Sequence, residues 1–435
     1  MMPPDTAHPT NTAWQPPAGY IPVESRLAGV TVFAPAPKVE TGPDALIFTC
    51  PRCGAATAYD PGAASVTCGS CGTPQYFQAQ VVGRAAEVDE FRVDVLDREA
   101  RGWGRERREL HCDACGADLS LAANDLSATC AFCGSTRVVA RAATDAGLRP
   151  RFLIPFKVPA EACHKLAQEW LGRGWMHPAG LAAAAGSAQF TGLYLPFWTF
   201  GARVAADWRA EVGYEVQRRY FDAHDAKWKT KTEIEWRWQA GRVVVPVNDH
   251  LEAATTKISA TLLGRVATYD LNGLVAYDPA FLAGWQAQAY DRPLATAWEN
   301  ARAHMREAAR QACQGDIGSP HVRNLAVAAD FEDERWRYIL VPAYLAPYRF
   351  NDKLYQLLIN GQTGAVVGQK PVEWLRVWLA VAAILAPGLL LSLLGLLLAV
   401  VGIGLVLLVL GGGLFLGGLM LSAYLVSQAM HAEAP

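Results

Sequence analysis

Eight of the ten cysteines fall at two identical spacings, Cys50-x2-Cys53-x14-Cys68-x2-Cys71 and Cys112-x2-Cys115-x14-Cys130-x2-Cys133. Each ligand of the first set recurs 62 positions later, so the chain carries a duplicated module. Two close pairs of thiolates, brought together by a hairpin, offer four soft ligands in the tetrahedral arrangement that Zn²⁺ adopts. The second cysteine of every pair is followed by glycine, at Gly54, Gly72, Gly116 and Gly134. A tight knuckle needs positive φ there and lets backbone N–H groups approach the sulfurs. Structural disulfides are the competing reading, disfavoured by the regular pairing and by a reducing compartment; an iron–sulfur cluster is a minor alternative. Four cysteines close the coordination sphere, so two structural Zn²⁺ ions are expected, one per module. Each would supply the folding free energy that a module of about 35 residues cannot draw from its own core.

The remaining reactive side chains form no such set. Cys163 and Cys313 stand alone in helical patterns and read as buried, inert thiols. His164, His177, His224, His250, His304 and His321 are scattered without ligand spacing. The sequence lacks a Gly-x4-Gly-Lys-Ser/Thr loop, a Gly-x-Ser-x-Gly elbow and a His-Glu-x2-His helix. It therefore predicts no catalytic and no cofactor-binding residues, and no enzyme.

The elements that must position the cysteines follow from composition. The chain has 435 residues, 51% of them hydrophobic, and a formal net charge of −2, without the basic excess that drives nucleic-acid binding. From Val377 to Ser427 there is no charged residue and no His, Asn or Gln. Since about 20 residues cross a bilayer core, this predicts a transmembrane hairpin over 374–428. Its spans are expected near 377–399 and 405–427, with the turn at Gly402–Gly404 and Gly411–Gly413 as a competing turn. The hairpin glycines permit close helix packing and self-association into a homo-oligomer. Lys370 and Arg376 precede the first span, with Trp374 and Trp378 as interfacial anchors, which puts the body and both termini in the cytoplasm. No apolar signal segment opens the sequence, in keeping with that side.

The fold class expected is multidomain: two small β zinc ribbons, an α+β body with an antiparallel sheet, and an α-helical transmembrane hairpin. Residues 1–45 contain nine prolines and read as a disordered leader. Ribbon one spans 46–80, a charged, solvated linker 81–110, ribbon two 111–142 and the body 150–371. Within the body, Phe152–Phe156 reads as a strand, Pro159–Gly172 and Pro293–Cys313 as helices, and Leu193–Phe200 as an edge or bulged strand because of Pro196. From Lys227 to Trp238 charged residues alternate with Trp228, Thr230, Thr232, Ile234, Trp236 and Trp238, a strand with one solvated and one aromatic face. Residues 203–221 form its partner across a turn at 222–226. Whether the aromatic face is core or docking surface is open. Basic residues among aromatics can grip single-stranded nucleic acid, but across 203–242 nine basic residues face seven acidic ones, so a plain sheet is favoured.

Several motifs, taken in order, resemble a known family: the cysteine ribbons, Gly102-Trp103-Gly104, Leu153-Ile154-Pro155-Phe156-Lys157, Tyr194-Leu195-Pro196-Phe197-Trp198-Thr199-Phe200, Tyr277-Asp278-Pro279-Ala280-Phe281-Leu282-Ala283-Gly284 and Asn360-Gly361-Gln362-Thr363-Gly364. The chain is similar to bacterial zinc-ribbon membrane proteins often labelled as primosomal protein N′ (replication factor Y) or superfamily II helicase relatives. The likeness covers about 100–375 and the membrane tail, although the helicase nucleotide loop is missing and the ribbon is doubled here. It implies a non-enzymatic scaffold at the bacterial inner membrane. Such a scaffold recruits cytoplasmic or membrane-associated proteins of the phage-shock-protein-A, SPFH or TPM type in an envelope-stress response. The alternative is a membrane-tethered nucleic-acid-binding factor.

Overall fold

The computed structural model describes residues 20–23, 32–35, 50–86, 89–90, 107–122, 130–133, 135, 138–142, 148, 150–222, 224, 227–351, 353–398 and 403–433. The chain divides into two compact units, Met1–Ile47 and Phe48–Pro435. In the first, β1 (Tyr20–Val23) pairs antiparallel with β2 (Val32–Pro35). The leader expected to lack structure thus holds a small sheet; its other residues lie outside the described set.

In the second unit, β3 (Thr57–Asp60), β4 (Ser65–Cys68) and β5 (Pro74–Gln75) form a three-stranded antiparallel sheet around the first cysteine set. Then come β6 (Asp89–Glu90) and the three strands of the second module, β7 (Arg107–Cys112), β8 (Asp118–Ala122) and β9 (Val138–Ala142). The body follows as β10 (Phe152–Leu153), α1 (Ala160–Leu171), α2 (Leu181–Ser187), β11 (Thr191–Asp222), β12 (Lys227–Ala253), α3 (Ala260–Val266), β13 (Val275–Ala276), β14 (Gln286–Gln288), α4 (Leu294–Ile317), β15 (Val322–Phe350), β16 (Lys353–Asn360) and β17 (Val366–Gly368). Helices α5 (Trp374–Leu397) and α6 (Ile403–Glu433) close the chain.

The body sheet is mixed, not antiparallel throughout: β10 runs parallel to β15, and β14 parallel to β11. Strand β8 of the second cysteine module pairs with β14, so that module is continuous with the body sheet. The expected linker 81–110 is also partly built in. Val81 bridges to Val275, β6 pairs with β15, and β7 begins at Arg107. Gly102-Trp103-Gly104 and the rest of 91–106 lie outside the described residues.

Strands β11, β12 and β15 run for 32, 27 and 29 residues. They stay continuous because extra residues are absorbed in bulges, where the register shifts opposite Gly201, Ala202 and Ala210. Asp249, Asp333 and Asn324 sit at these shifts with φ of 58°, 52° and 53°, a left-handed conformation that Asp and Asn tolerate best among non-glycine residues. At the inner end both sheet faces are covered: Tyr194, Trp198 and Phe200 enter one core, and Leu193, Leu195 and Phe197 the other. Strand β11 is therefore interior, not an edge. Pro196 is accommodated where its neighbour changes from β14 to β12; its carbonyl accepts from Ala254 N–H at 3.0 Å, and the missing N–H falls in that gap.

Further out, Val204, Ala206, Trp208, Ala210 and Val212 are buried beneath α4, and Trp208 Nε1 donates to Asp316 at 2.9 Å. The opposite face stays open. Beyond Val212, where β15 ends, β11 and β12 continue alone as a two-stranded arm. Ten further residues per strand extend it by about 30 Å. The period-two pattern predicted this hairpin, and its aromatic face is not core: Trp228 and Trp238 are 70% and 64% exposed.

Helices α5 and α6 are long and apolar enough to cross a membrane, with leucines exposed along their outer faces. Ile403 and Gly404, expected in the turn, instead open α6, and Gly402 lies outside the described residues; Gly411–Gly413 are mid-helix. The helices meet backbone to backbone. A Cβ on Gly388 would lie 2.6 Å from Phe415 N, on Gly395 2.5 Å from Leu408 N, and on Gly411 2.5 Å from Ser392 N. Gly412, Gly413 and Gly417 have open space instead. The hairpin is also clamped to the body. Lys370 Nζ donates to the carbonyls of Trp170 and Arg173 and lies 4.0 Å over the Trp170 ring. Arg376 donates to His177 O at 3.0 Å and Glu373 N–H to Met176 O at 2.8 Å, while Trp374 Nε1 joins the two helices to each other by donating to Glu433 at 3.2 Å. Lys370 and Arg376 are thus engaged by the body. In detergent, Gly411→Leu is expected to destabilise the hairpin by about 1–3 kcal/mol through overpacking, and Gly413→Leu to be near neutral; thermal unfolding of the two full-length variants against the parent checks this.

Candidate metal centres and their setting

Each cysteine pair sits on the same knuckle. Gly54, Gly72 and Gly116 N–H groups donate to the carbonyls of Cys50, Cys68 and Cys112 at 2.7–3.0 Å, with glycine φ of 73°, 68° and 67°. The N–H of Cys50, Cys68, Cys112 and Cys130 each donates five residues ahead, to Ala55, Thr73, Ala117 and Ser135. Gly134, the fourth knuckle glycine, lies outside the described residues. Because the described parts of the knuckles share this backbone geometry, each pair aims its two sulfurs at one point.

The eight cysteines converge as two sets of four, with the ligand atoms of each set within 4.8 Å of one another. Sγ–Sγ distances are 3.5 Å for Cys50–Cys71 and Cys53–Cys68, 3.6 Å for Cys53–Cys71 and Cys112–Cys133, and 3.7 Å for Cys115–Cys130. A metal–thiolate bond of about 2.3 Å implies a tetrahedral edge of about 3.8 Å, whereas a disulfide needs about 2.05 Å. The donor set and spacing fit a tetrahedral ion such as zinc. The proton balance agrees with a cation. The Thr73 hydroxyl and backbone N–H hold Cys71 down at about 6. Against the lowering effect of the Ala55 backbone N–H, the neighbouring thiols of Cys68 and Cys71 push Cys53 up to about 12. Burial pushes Cys130 up to about 11. Four crowded thiols resist becoming four thiolates until a divalent ion compensates them.

Both modules dock on one stretch of the body, Asp278–Gln288. Its first part holds the first module: Tyr59 N–H donates to Ala283 O, Trp285 Nε1 donates to Tyr59 O, both at 3.0 Å, and Phe281 packs edge-on to Tyr59 and Phe77. Gly284 has φ +71°, and a Cβ there would lie 2.6 Å from the Ala58 Cβ. The last part, β14, pairs with β8 of the second module. Between them Trp285 stacks on Phe156 at 4.2 Å and fills the space over Gly192, where no Cβ fits. Cys112, Cys130 and Phe132 share one core with Leu193, Leu195 and α3's Leu262 and Leu263. Two of the second module's four candidate ligands, Cys112 and Cys130, are therefore part of the body's own core.

Cys163 and Cys313 are buried, Cys163 pushed up to about 12 by burial and by Glu161, as expected of inert core thiols. The histidines depart from expectation in one place: His250, Glu252 and His304 converge within 4.8 Å. The cue was His-x-Glu on an alternating strand, which puts both side chains on one face, but the third member lies on a separate helix, beyond the reach of any local spacing.

No family model matches this chain, and no solved structure matches it. A Bacillus subtilis protein, "Uncharacterized protein YdjG", is 26% identical over 348 residues, covering 75% of this chain and 90% of its own length.

The two modules should respond differently to loss of metal. With Cys112→Ser and Cys115→Ser, faster amide exchange is expected in the second module and also in β14 and α3, which share its sheet and core. With Cys50→Ser and Cys53→Ser it should stay within the first module and the Asp278–Trp285 segment. Hydrogen–deuterium exchange mass spectrometry on the full chain reads both patterns.

Proposed function

We propose that this chain is a membrane-anchored, non-enzymatic scaffold of the bacterial inner membrane that recruits cytoplasmic or membrane-associated proteins, with two structural zinc ions holding its ribbons. The body and both termini face the cytoplasm, where a reducing environment keeps the eight ligand cysteines as metal-binding thiolates. Lys370 and Arg376, at the foot of the hairpin, agree with that side.

The observation that carries this reading is the arm. Trp228 on the arm and Trp238 at its base stand exposed on the face opposite α4, in line with Trp236 and Ile234 and with Phe221 edge-on to Trp228 at 5.5 Å. An aromatic row bordered by a paired charge has the composition of a protein-binding hot spot. That pair is Arg323–Glu211 at 2.5 Å, with the Arg323 guanidinium 4.0 Å over Trp236; Arg218–Glu233 at 3.4 Å and Arg237–Glu235 at 3.1 Å pair on the opposite face of the hairpin. Cations already committed to carboxylates release few counterions to a phosphate backbone, which weighs against the nucleic-acid reading. Because the hairpin is clamped to the body, whatever the arm holds is held at the membrane. The resemblance to zinc-ribbon membrane proteins suggests phage-shock-protein-A-, SPFH- or TPM-type partners in envelope stress.

Crosslinking in bacterial membranes tests the proposal at matched expression. The native chain is expected to capture specific proteins, and Trp228→Ala with Trp238→Ala to lose them while still inserting in the membrane. The variant Cys50→Ser, Cys53→Ser, Cys112→Ser and Cys115→Ser should lose them as well. Recovery of nucleic acid in a salt-sensitive manner, with no protein partner, would overturn it.

A further inference from the structure

We infer that His250, Glu252 and His304 form a third metal site, of two imidazoles and one carboxylate, distinct from the thiolate clusters and suited to a borderline divalent transition ion such as Zn²⁺, Ni²⁺ or Co²⁺. His250 and Glu252 lie two residues apart near the end of β12 and so share a face, and His304 comes from α4, which crosses that face. The imidazoles aim the same nitrogen at the same carboxylate oxygen: His250 Nε2 is 3.4 Å and His304 Nε2 3.8 Å from Glu252 Oε1.

His250 Nε2 and Glu252 Oε1 form a long hydrogen bond at 3.4 Å, a spacing that also suits two ligands of one ion. A charge-assisted N–H to carboxylate bond closes to about 2.7–2.9 Å. Ligand atoms sharing an ion at about 2.0–2.2 Å stand about 3.3–3.6 Å apart around a tetrahedron. The His250 spacing matches the second value, and the His304 side chain, 69% exposed, is free to swing in. Glu252 is held from behind, its side chain only 12% exposed and its other oxygen, Oε2, 3.9 Å from Arg292. Arg292 is itself anchored by donating to Ala253 O at 3.1 Å. Arg292 thus orients the carboxylate by one oxygen and leaves the other to the imidazoles. Its positive charge also weakens cation binding, so this site should bind less tightly than the thiolate clusters. Three protein ligands leave a coordination position open to water, as catalytic metal sites do and four-cysteine sites do not.

Cobalt separates the sites, because only thiolate ligands give an intense sulfur-to-metal charge-transfer band. Metal-stripped full-length protein in detergent, titrated with Co²⁺, should fill the two cysteine clusters with that band. A further, weaker equivalent should then add visible d–d absorption without it, giving three equivalents, one per cluster. Glu252→Gln and the exposed-site variant His304→Ala should each remove only the last equivalent, with the thiolate band and the thermal unfolding profile unchanged. Saturation after the thiolate band alone, or a further equivalent that persists in both variants, would overturn the assignment.

Discussion

The stretch Asp278–Gln288 has no spare volume. Gly284 lets the first module's backbone pass where a methyl group would strike Ala58, Gly192 leaves room for the Trp285 ring, and that ring lies flat on Phe156. The same eleven residues supply β14, which ties the second module's sheet to β11. Two small cysteine modules are therefore positioned by one closely packed segment. Metal bound at the second cluster would stabilise the core it shares with the body.

The same economy operates in the apolar helical hairpin. In a bilayer there is no hydrophobic drive for helix association, so contact between α5 and α6 would rest there on van der Waals packing. Glycines at 388 and 395 on one helix, and at 404, 411 and 418 on the other, recur every seven residues and bring the backbones together. Below them, buried Lys370 caps the carbonyls at the end of α1, and Glu373 N–H bonds Met176 O. Anchor, body and arm are thus joined by hydrogen bonds and a shared sheet. The motif Asn360–Gly364 serves that continuity, since Asn360 Nδ2 reaches Val266 O, Gln362 exchanges hydrogen bonds with the Asp270 backbone, and Gly361 sits against Phe156.

What was legible in the sequence is what local chemistry encodes. Thiolate spacing, an uncharged apolar run and period-two alternation each depend on residues near in sequence, and the cysteine clusters, apolar helices and aromatic hairpin followed from them. Long-range pairing did not. Nothing local says that β8 joins β14, that β10 and β14 pair in parallel, or that parts of 81–110 lie on the body. The strands also looked shorter than they are, because Pro196 and the bulges at Asp249, Asp333 and Asn324 break the alternation without ending the ladder. The His250, Glu252 and His304 convergence was hidden for the same reason, two members on a strand and one on a distant helix.

In the proposed function the exposed aromatic arm is covered at the membrane by a protein partner. Hydroxyl-radical footprinting of Trp228 and Trp238 reads this directly, comparing purified protein in detergent with intact bacterial membranes. The account predicts ready oxidation in the purified chain and strong protection in membranes. Equal reactivity in both would contradict it, as would protection already complete in the purified chain.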